Sequence, residues 1–303
     1  MYRYKNLLIN LNLSGLDAAT IAYSSMISHL ARSEKASFIH VSQKSEFYKK
    51  LGQEGPDPSE SLDEYLDSEI RKSIQKKFKE PAGIEKNIEV LKGNPFHQLL
   101  RYSAQKQIDL IIVSKEKDAS KARRLPLKLE RRAPCSVLIL PHQSKPSISK
   151  ILVPIDCSKN SADAMEIGIA FAAAAGIPEI ICLIVYCLPL GYYKTGKSEE
   201  QFADIMRKNS EENYSNFIKQ FDLKGVSVTP QFVFDKNTVK GIQDTIKREE
   251  IDLVATGARG RSTSSAVLIR SVTEKLIRTT NVPIIAVKEK GANMKFIEAL
   301  FKL

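Results

Sequence analysis

Between residues 251 and 273 the chain reads IDLVATGARGRSTSSAVLIRSVT. Gly257 and Gly260 stand just past the end of an apolar run, next to Thr256 and Arg259, and Arg270, Ser271, Val272 and Thr273 follow. Glycines at a strand end let main-chain N–H groups approach a phosphate with no side chain in the way. A helix opening at Ser271 would add free N–H groups and the positive end of its dipole, both of which favour an anion. Strand end, glycine loop and helix start together make a cradle for a polyphosphate. A carboxylate, Asp156, closes another apolar run in VPIDCSKNS. Beyond the carboxyl end of a strand in an open parallel sheet, it can accept hydrogen bonds from an adenine amino group or a ribose hydroxyl. It can equally cap the next helix, and position alone leaves both roles open.

Those residues need a scaffold to bring them together, and the chain contains that scaffold twice. LLINLNLS at residues 7–14 aligns with ILVPIDCS at 151–158, an offset of 144. IDLIIVS at 108–114 aligns with IDLVATG at 251–257, an offset of 143. A long-period repeat of this kind means duplicated domains. In each copy short apolar runs alternate with helical stretches, which implies βαβ units and a parallel sheet. The expected fold is α/β, with two tandem open-sheet domains. Each is a mostly parallel five-stranded sheet with helices on both faces. The second copy predicts strands at 150–156, 180–187, 226–234, 251–256 and 283–287, and helices at 158–175, 199–221, 238–250 and 271–279. Ser158 is the expected N-cap of the first helix, and Gly176 its stop. The first copy repeats this order, with Pro126 and a four-residue deletion shortening its last crossover. The expected domains are 1–145 and 146–290, joined by PHQSKPSISK, with an amphipathic tail at 291–303. In that tail Met294, Ile297, Leu300 and Phe301 share one helical face, which points to packing on the body of the chain or on a second copy.

Composition narrows the possibilities. With 303 residues, 43% of them apolar, each half can bury a core without disulfides or metal. No apolar stretch approaches the length of a membrane span, and the start MYRYKNLLINLNL lacks the pattern of a signal peptide, so a cytoplasmic location with no membrane partner is expected. Cys135, Cys157, Cys182 and Cys187 form no C-x-x-C pair, and the four histidines are scattered, so packed thiols and no metal site are expected. The net charge of +11 is uneven: residues 1–145 carry 25 Lys+Arg against 17 Asp+Glu. Lys115 to Arg132 alone holds eight basic and three acidic residues, as either a solvated helix face or an anion-binding surface.

The second half resembles the universal stress protein family, whose adenine-nucleotide motif is G-x2-G-x9-G-[S/T] after the fourth strand, with an Asp ending the first. Gly257, Gly260, Ser271 and Asp156 match that pattern, while Arg270 stands where the third glycine belongs. Its guanidinium could contact a phosphate in a bidentate way or fill the pocket. The resemblance implies a site formed by Pro154, Ile155, Asp156, Val185, Thr256, Gly257, Arg259, Gly260, Arg270, Ser271, Val272 and Thr273, with ATP or another adenine nucleotide as cofactor and Mg possible with it. The first half is degenerate: Asn12 replaces the Asp, and Ser114 and Lys117 replace the first two glycines. It is then a structural partner, and the tandem chain resembles an internal pseudo-dimer, with a homo-oligomer also expected.

A rival motif is GYYKTGKS at Gly191–Ser198, which fits G-x-x-x-x-G-K-[ST] between a strand and a helix. Three intervening residues, two tyrosines and the lack of a later magnesium-binding Asp weigh against a phosphate loop. No nucleophile elbow, His–Asp pair or paired carboxylates stand out, so no catalytic residue is assigned. The resulting expectation is a stress-response or regulatory protein that binds an adenine nucleotide or related anion without significant turnover, through a regulatory partner still to be found. The alternatives are a weak nucleotide hydrolase or self-phosphorylating enzyme, and a scaffold whose basic face binds a polyanion. No aromatic residue interleaves Lys115–Arg132, which counts against base stacking and so against nucleic acid.

Overall fold

The computed structural model describes residues 3–13, 17–42, 62–79, 81, 83–115, 124–142, 144–189, 191–196, 198–258 and 266–301, with the side chains of 62–66, 124, 194–195 and 266–271 outside the description. The chain divides into two compact units: Met1–Ser147 with Lys288–Leu303, and Ile148–Val287.

The first unit runs β1 (Asn6–Leu11), α1 (Asp17–Ala31), β2 (Lys35–Ser42), α2 (Leu62–Lys77), β3 (Glu85–Lys92), α3 (Pro95–Gln105), β4 (Leu110–Lys115), α4 (Arg124–Arg132) and β5 (Ser136–Pro141). Its strands lie in the order β3-β2-β1-β4-β5, and every described pair is parallel. The second unit repeats the plan: β6 (Ile151–Pro154), α5 (Lys159–Ala175), β7 (Glu179–Tyr186), α6 (Glu199–Ile218), β8 (Ser227–Phe234), α7 (Thr238–Arg248), β9 (Leu253–Gly257), α8 (Ala266–Thr279) and β10 (Ile284–Val287). Its order is β10-β9-β6-β7-β8, again parallel in each described pair. Strands β4, β5, β9 and β10 are buried at every position.

The duplication reaches backbone detail. Leu13 (φ 50°) and Cys157 (φ 61°), 144 residues apart, share a left-handed turn after the first strand of each unit. Arg32 (φ 50°) and Gly176 (φ 69°), at the same offset, both follow the first helix. The aspartate of each IDL repeat is a clamp. Asp109 Oδ2 accepts from the N–H groups of Lys5 (3.0 Å) and Asn6 (2.8 Å), and Asp252 Oδ2 from those of Ser149 (2.9 Å) and Lys150 (3.0 Å). Each carboxylate thereby fixes the start of the neighbouring strand.

Two expectations change, and that for the tail holds in part. Pro126 does not break α4; it sits in the first turn, where the missing N–H has no intrahelical partner to lose. The crossover helix of the second unit opens at Ala266 rather than Ser271, so the run AVLI is helical and Arg270 and Ser271 lie past the first turn. Ala and Leu favour that extension. The tail forms α9 (Met294–Phe301) on the first unit, anchored by Ile297, which is fully buried, while Leu300 is exposed. Upstream of it Lys288 is buried, and its Nζ donates to the carbonyls of Leu129 (3.4 Å) and Ala133 (3.2 Å) at the end of α4, where a cation suits the helix dipole.

Candidate functional site at the strand-order reversal of the second unit

In the second unit the chain passes from β6 outward to β7 and β8, then returns to place β9 and β10 on the other side of β6. Connections therefore leave the carboxyl ends of β6 and β9 in opposite directions, and a crevice opens between them. The register Leu152↔Val254 sets those two ends side by side, with Asp156 two residues beyond β6 and Gly257 closing β9.

Asp156 is exposed and its two oxygens differ. Oδ1 accepts from Ser161 Oγ (2.5 Å) and Ser158 N (3.1 Å), while the Asp156 N–H donates to Ser161 Oγ (3.0 Å). Ser158 in turn caps α5 by accepting from the Ser161 N–H. Among the described residues nothing donates to Oδ2. Capping thus engages one oxygen of the carboxylate and leaves the other without a donor among the described residues. Between Asp156 and Ser158, Cys157 takes a left-handed conformation that disfavours a side chain. Burial, and then the Asp156 charge, push its thiol pKa upward.

Gly257 has a packing reason to be glycine. A Cβ there would lie 2.7 Å from the carbonyl carbon and 2.9 Å from the Cβ of Asn160, in the first turn of α5. That helix start therefore approaches the end of β9 closely. Thr256, beside it, is buried, and its Oγ1 lies 3.1 Å from that of Thr273, which also donates to the Gly257 carbonyl at 3.3 Å. Thr273 is therefore engaged in tying α8 to β9. Asn160 and Ser161 were missed in the sequence; the one available signal was that Ser161 aligns with Asp17 at the repeat offset of 144.

The other expected residues fall as follows. Pro154 is half-buried at the end of β6; Ile155 is buried, and its N–H donates to the Leu183 carbonyl at 2.9 Å. Val185 is half-buried on β7, beside α7 at Gly241. Val272 is half-buried on α8, one residue after Ser271. Arg259 and Gly260 lie outside the described residues, as do the side chains of Arg270 and Ser271.

The first unit has the same reversal between β1 and β4, and there it is bridged. Asn12 Nδ2 donates to Ser114 Oγ at 3.2 Å, and Asn10 Nδ2 donates to Asn12 Oδ1 at 3.0 Å. The Asn12 N–H donates to Asp17 Oδ1 (3.1 Å), matching the contact from Asp156 to Ser161. The turn is conserved between the copies, and among the described residues the second leaves Asp156 Oδ2 without a donor.

In the GYYKTGKS segment Lys197 lies outside the described residues, and the rest follows a turn and a helix cap. Tyr192–Thr195 form a 3₁₀ turn between left-handed Gly191 and Gly196, and the Tyr192 ring lies 6.0 Å from that of Phe202. The Ser198 hydroxyl caps α6 in a capping box with Gln201. Among the described residues no group of three His, Cys, Asp or Glu could hold a metal, and no helix is long and apolar enough to cross a membrane.

Comparison with known proteins agrees with the duplicated plan. The model of the universal stress protein family matches residues 4–141 and again 147–288. A universal stress protein of Methanocaldococcus jannaschii is 25% identical over 160 residues, which cover 47% of this chain and 96% of that protein. The crystal structure of a universal stress protein from Archaeoglobus fulgidus superposes with a TM-score of 0.63 at 19% identity, covering 95% of this chain and 98% of the other. A Pseudomonas aeruginosa protein of unknown function gives a TM-score of 0.63 at 14% identity, covering 99% and 98%. With both halves matched, the chain belongs to the universal stress protein family, as a tandem two-domain member.

Proposed function

We propose that this protein binds one adenine nucleotide, ATP or a close relative, in the crevice between β6 and β9. In this reading it acts as a ligand-responsive regulator, of a stress response in keeping with its family, without significant turnover. One observation carries the proposal: the two equivalent crevices differ, one crossed by the Asn12–Ser114 hydrogen bond and the other bordered by an exposed Asp156 with Oδ2 unengaged. A carboxylate oxygen with no internal partner beside a glycine strand end suits a ribose hydroxyl or an adenine amino group. Pro154, Ile155 and Val185 supply apolar surface nearby, and Gly257 to Gly260 the approach to phosphate. Magnesium would arrive on the phosphates and not through a separate protein cage. The four cysteines are unpaired, in keeping with a reducing, cytoplasmic setting.

Isothermal titration of the full chain with ATP tests this reading. One site per chain is expected, weakened about ten- to a hundredfold in Asp156→Ala and kept in Asn12→Ala. Binding that survives Asp156→Ala unchanged, or that needs Asn12, would overturn it.

A further inference from the structure

In the first unit, α3, α4 and α9 bring cations and phenylalanines together. Arg132 Cζ lies 4.3 Å from the centre of the Phe296 ring, Arg101 Cζ 5.0 Å from that of Phe301, and Lys128 Nζ 5.6 Å from that of Phe96. His97 adds an edge contact to Phe301 at 6.1 Å. Together these contacts link the three helices into one continuous surface.

Among the described residues four cations of that surface have no ion-pair partners. Arg101, Lys128, Arg132 and Lys295 are exposed, and none forms an ion pair with a described residue. Other helices balance their cations along the helix: Arg71 with Asp67, Arg207 with Glu211, Lys240 with Asp244 and Arg278 with Glu274. By contrast α3 carries no acidic residue, and Glu130, the acid of α4, is buried; Glu298 on α9 is the one exposed acid of the three. Self-repulsion in such a cluster is unfavourable for the folded state unless an anion relieves it. Each ring also holds a cation that would otherwise be mobile, which lowers the entropy lost when that cation makes a contact.

The sign of the charge selects an anion, and a net charge of +11 argues against a second copy of the chain. Phe96, Phe296 and Phe301 each already hold a cation over the ring, which disfavours their use for base stacking or for insertion into a bilayer. Leu300 is the one exposed large apolar residue on these helices among those described. Separate guanidinium and ammonium groups spread over three helices suit a row of phosphates. We propose that the α3–α4–α9 face of the first unit binds the phosphate backbone of nucleic acid without reading its bases. This surface is independent of the nucleotide crevice.

Fluorescence anisotropy of the full chain with a labelled mixed-sequence strand of about 20 nucleotides tests the proposal. Four phosphate contacts should weaken binding to single strands about fifty-fold between 50 and 200 mM salt. The triple variant Arg101→Gln, Lys128→Gln, Arg132→Gln should lose at least tenfold in affinity, equally for all sequences, and still bind ATP as the wild type does. Lys219→Gln, an exposed change in the second unit, should leave binding unchanged. If circular dichroism shows the triple variant unfolded, the single charge reversal Lys128→Glu takes its place. No binding at 50 mM salt, or an unaffected variant, would overturn the proposal. So would displacement of the strand by polyglutamate or anionic vesicles at lower charge concentration than by unlabelled strand, since that outcome assigns the face to an acidic protein or a membrane.

Discussion

Asn12 Nδ2 and Ser114 Oγ meet at 3.2 Å across the strand-order reversal of the first unit, at the two positions that Asp156 and Gly257 occupy in the second. One hydrogen bond thus turns a potential ligand crevice into an internal bridge. Asn12→Ala should cost about 1 kcal/mol of stability and leave the stoichiometry of ATP binding at one. Thermal melting and calorimetric titration check the two halves of this statement, and a second equivalent of bound nucleotide in wild type would contradict it.

The division proposed for Asp156, one oxygen for the turn and one for ligand, is tested more sharply by Asp156→Asn than by Asp156→Ala alone. Asp156→Asn keeps an oxygen to accept from Ser161 Oγ and the Ser158 N–H, but loses the charge offered to ligand. It should therefore melt close to wild type and bind ATP roughly ten- to a hundredfold more weakly, the loss of one charge-assisted hydrogen bond of about 1.5–3 kcal/mol. Asp156→Ala should add a stability loss of about 1 kcal/mol from the broken turn. Equal ATP affinity in wild type and Asp156→Asn would leave Asp156 as a cap alone.

Gly257→Ala should destabilise the second unit whether or not ligand is present. The new methyl would meet the main chain of Asn160, which cannot swing aside as a side-chain tip could. Overpacking of this kind costs about 1–3 kcal/mol. Chemical denaturation of the apo protein measures it, and an unchanged midpoint would show that α5 can shift freely.

Arg270 lies inside α8, so replacing it with glycine would weaken the helix by about 1 kcal/mol and blur any effect on ligand. Arg270→Ala avoids that. If its guanidinium serves the phosphates, the change weakens ATP and spares adenosine; tighter ATP binding in the variant would mean that Arg270 obstructs the site. A steady-state assay with ATP and magnesium should show no turnover near about 1 per second.

The thiols offer a chemical readout. Burial pushes the Cys135 thiol up to about 12 and the Cys182 thiol higher still, so both stay protonated and unreactive at neutral pH, while Cys187 is exposed. A thiol reagent should label Cys187 first, Cys157 slowly, and Cys135 and Cys182 only on unfolding. ATP should protect Cys157, which adjoins Asp156, and leave Cys187 unchanged; labelling of Cys157 that ignores saturating ATP would count against the crevice.

The duplication, the α/β class and the asymmetry between the halves were legible in the sequence, because buried parallel strands must be continuous apolar runs and their repeats align. Ser158 marked the start of α5, since a cap depends on neighbours close in the chain, and the IDL repeats marked the starts of β4 and β9 because the two copies align. Local signals failed where distant contacts decided the outcome. The start of α8 fell within a stretch whose loop and helix readings differ little in propensity, and the helical one prevailed at Ala266. Gly257 read as a phosphate approach, yet its close packing against Asn160 became visible only when α5 and β9 were brought together. The division of Asp156 into a capping oxygen and one without a described donor, and the bridge from Asn12 to Ser114, join residues up to 102 positions apart. The basic run near Arg132 lacked aromatics in sequence, and α3 and α9 supplied Phe96, 32 positions before Lys128, and Phe296, 164 positions after Arg132. Residue types and spacing determine which elements form; only packing decides which side chains are left with an unsatisfied group facing outward.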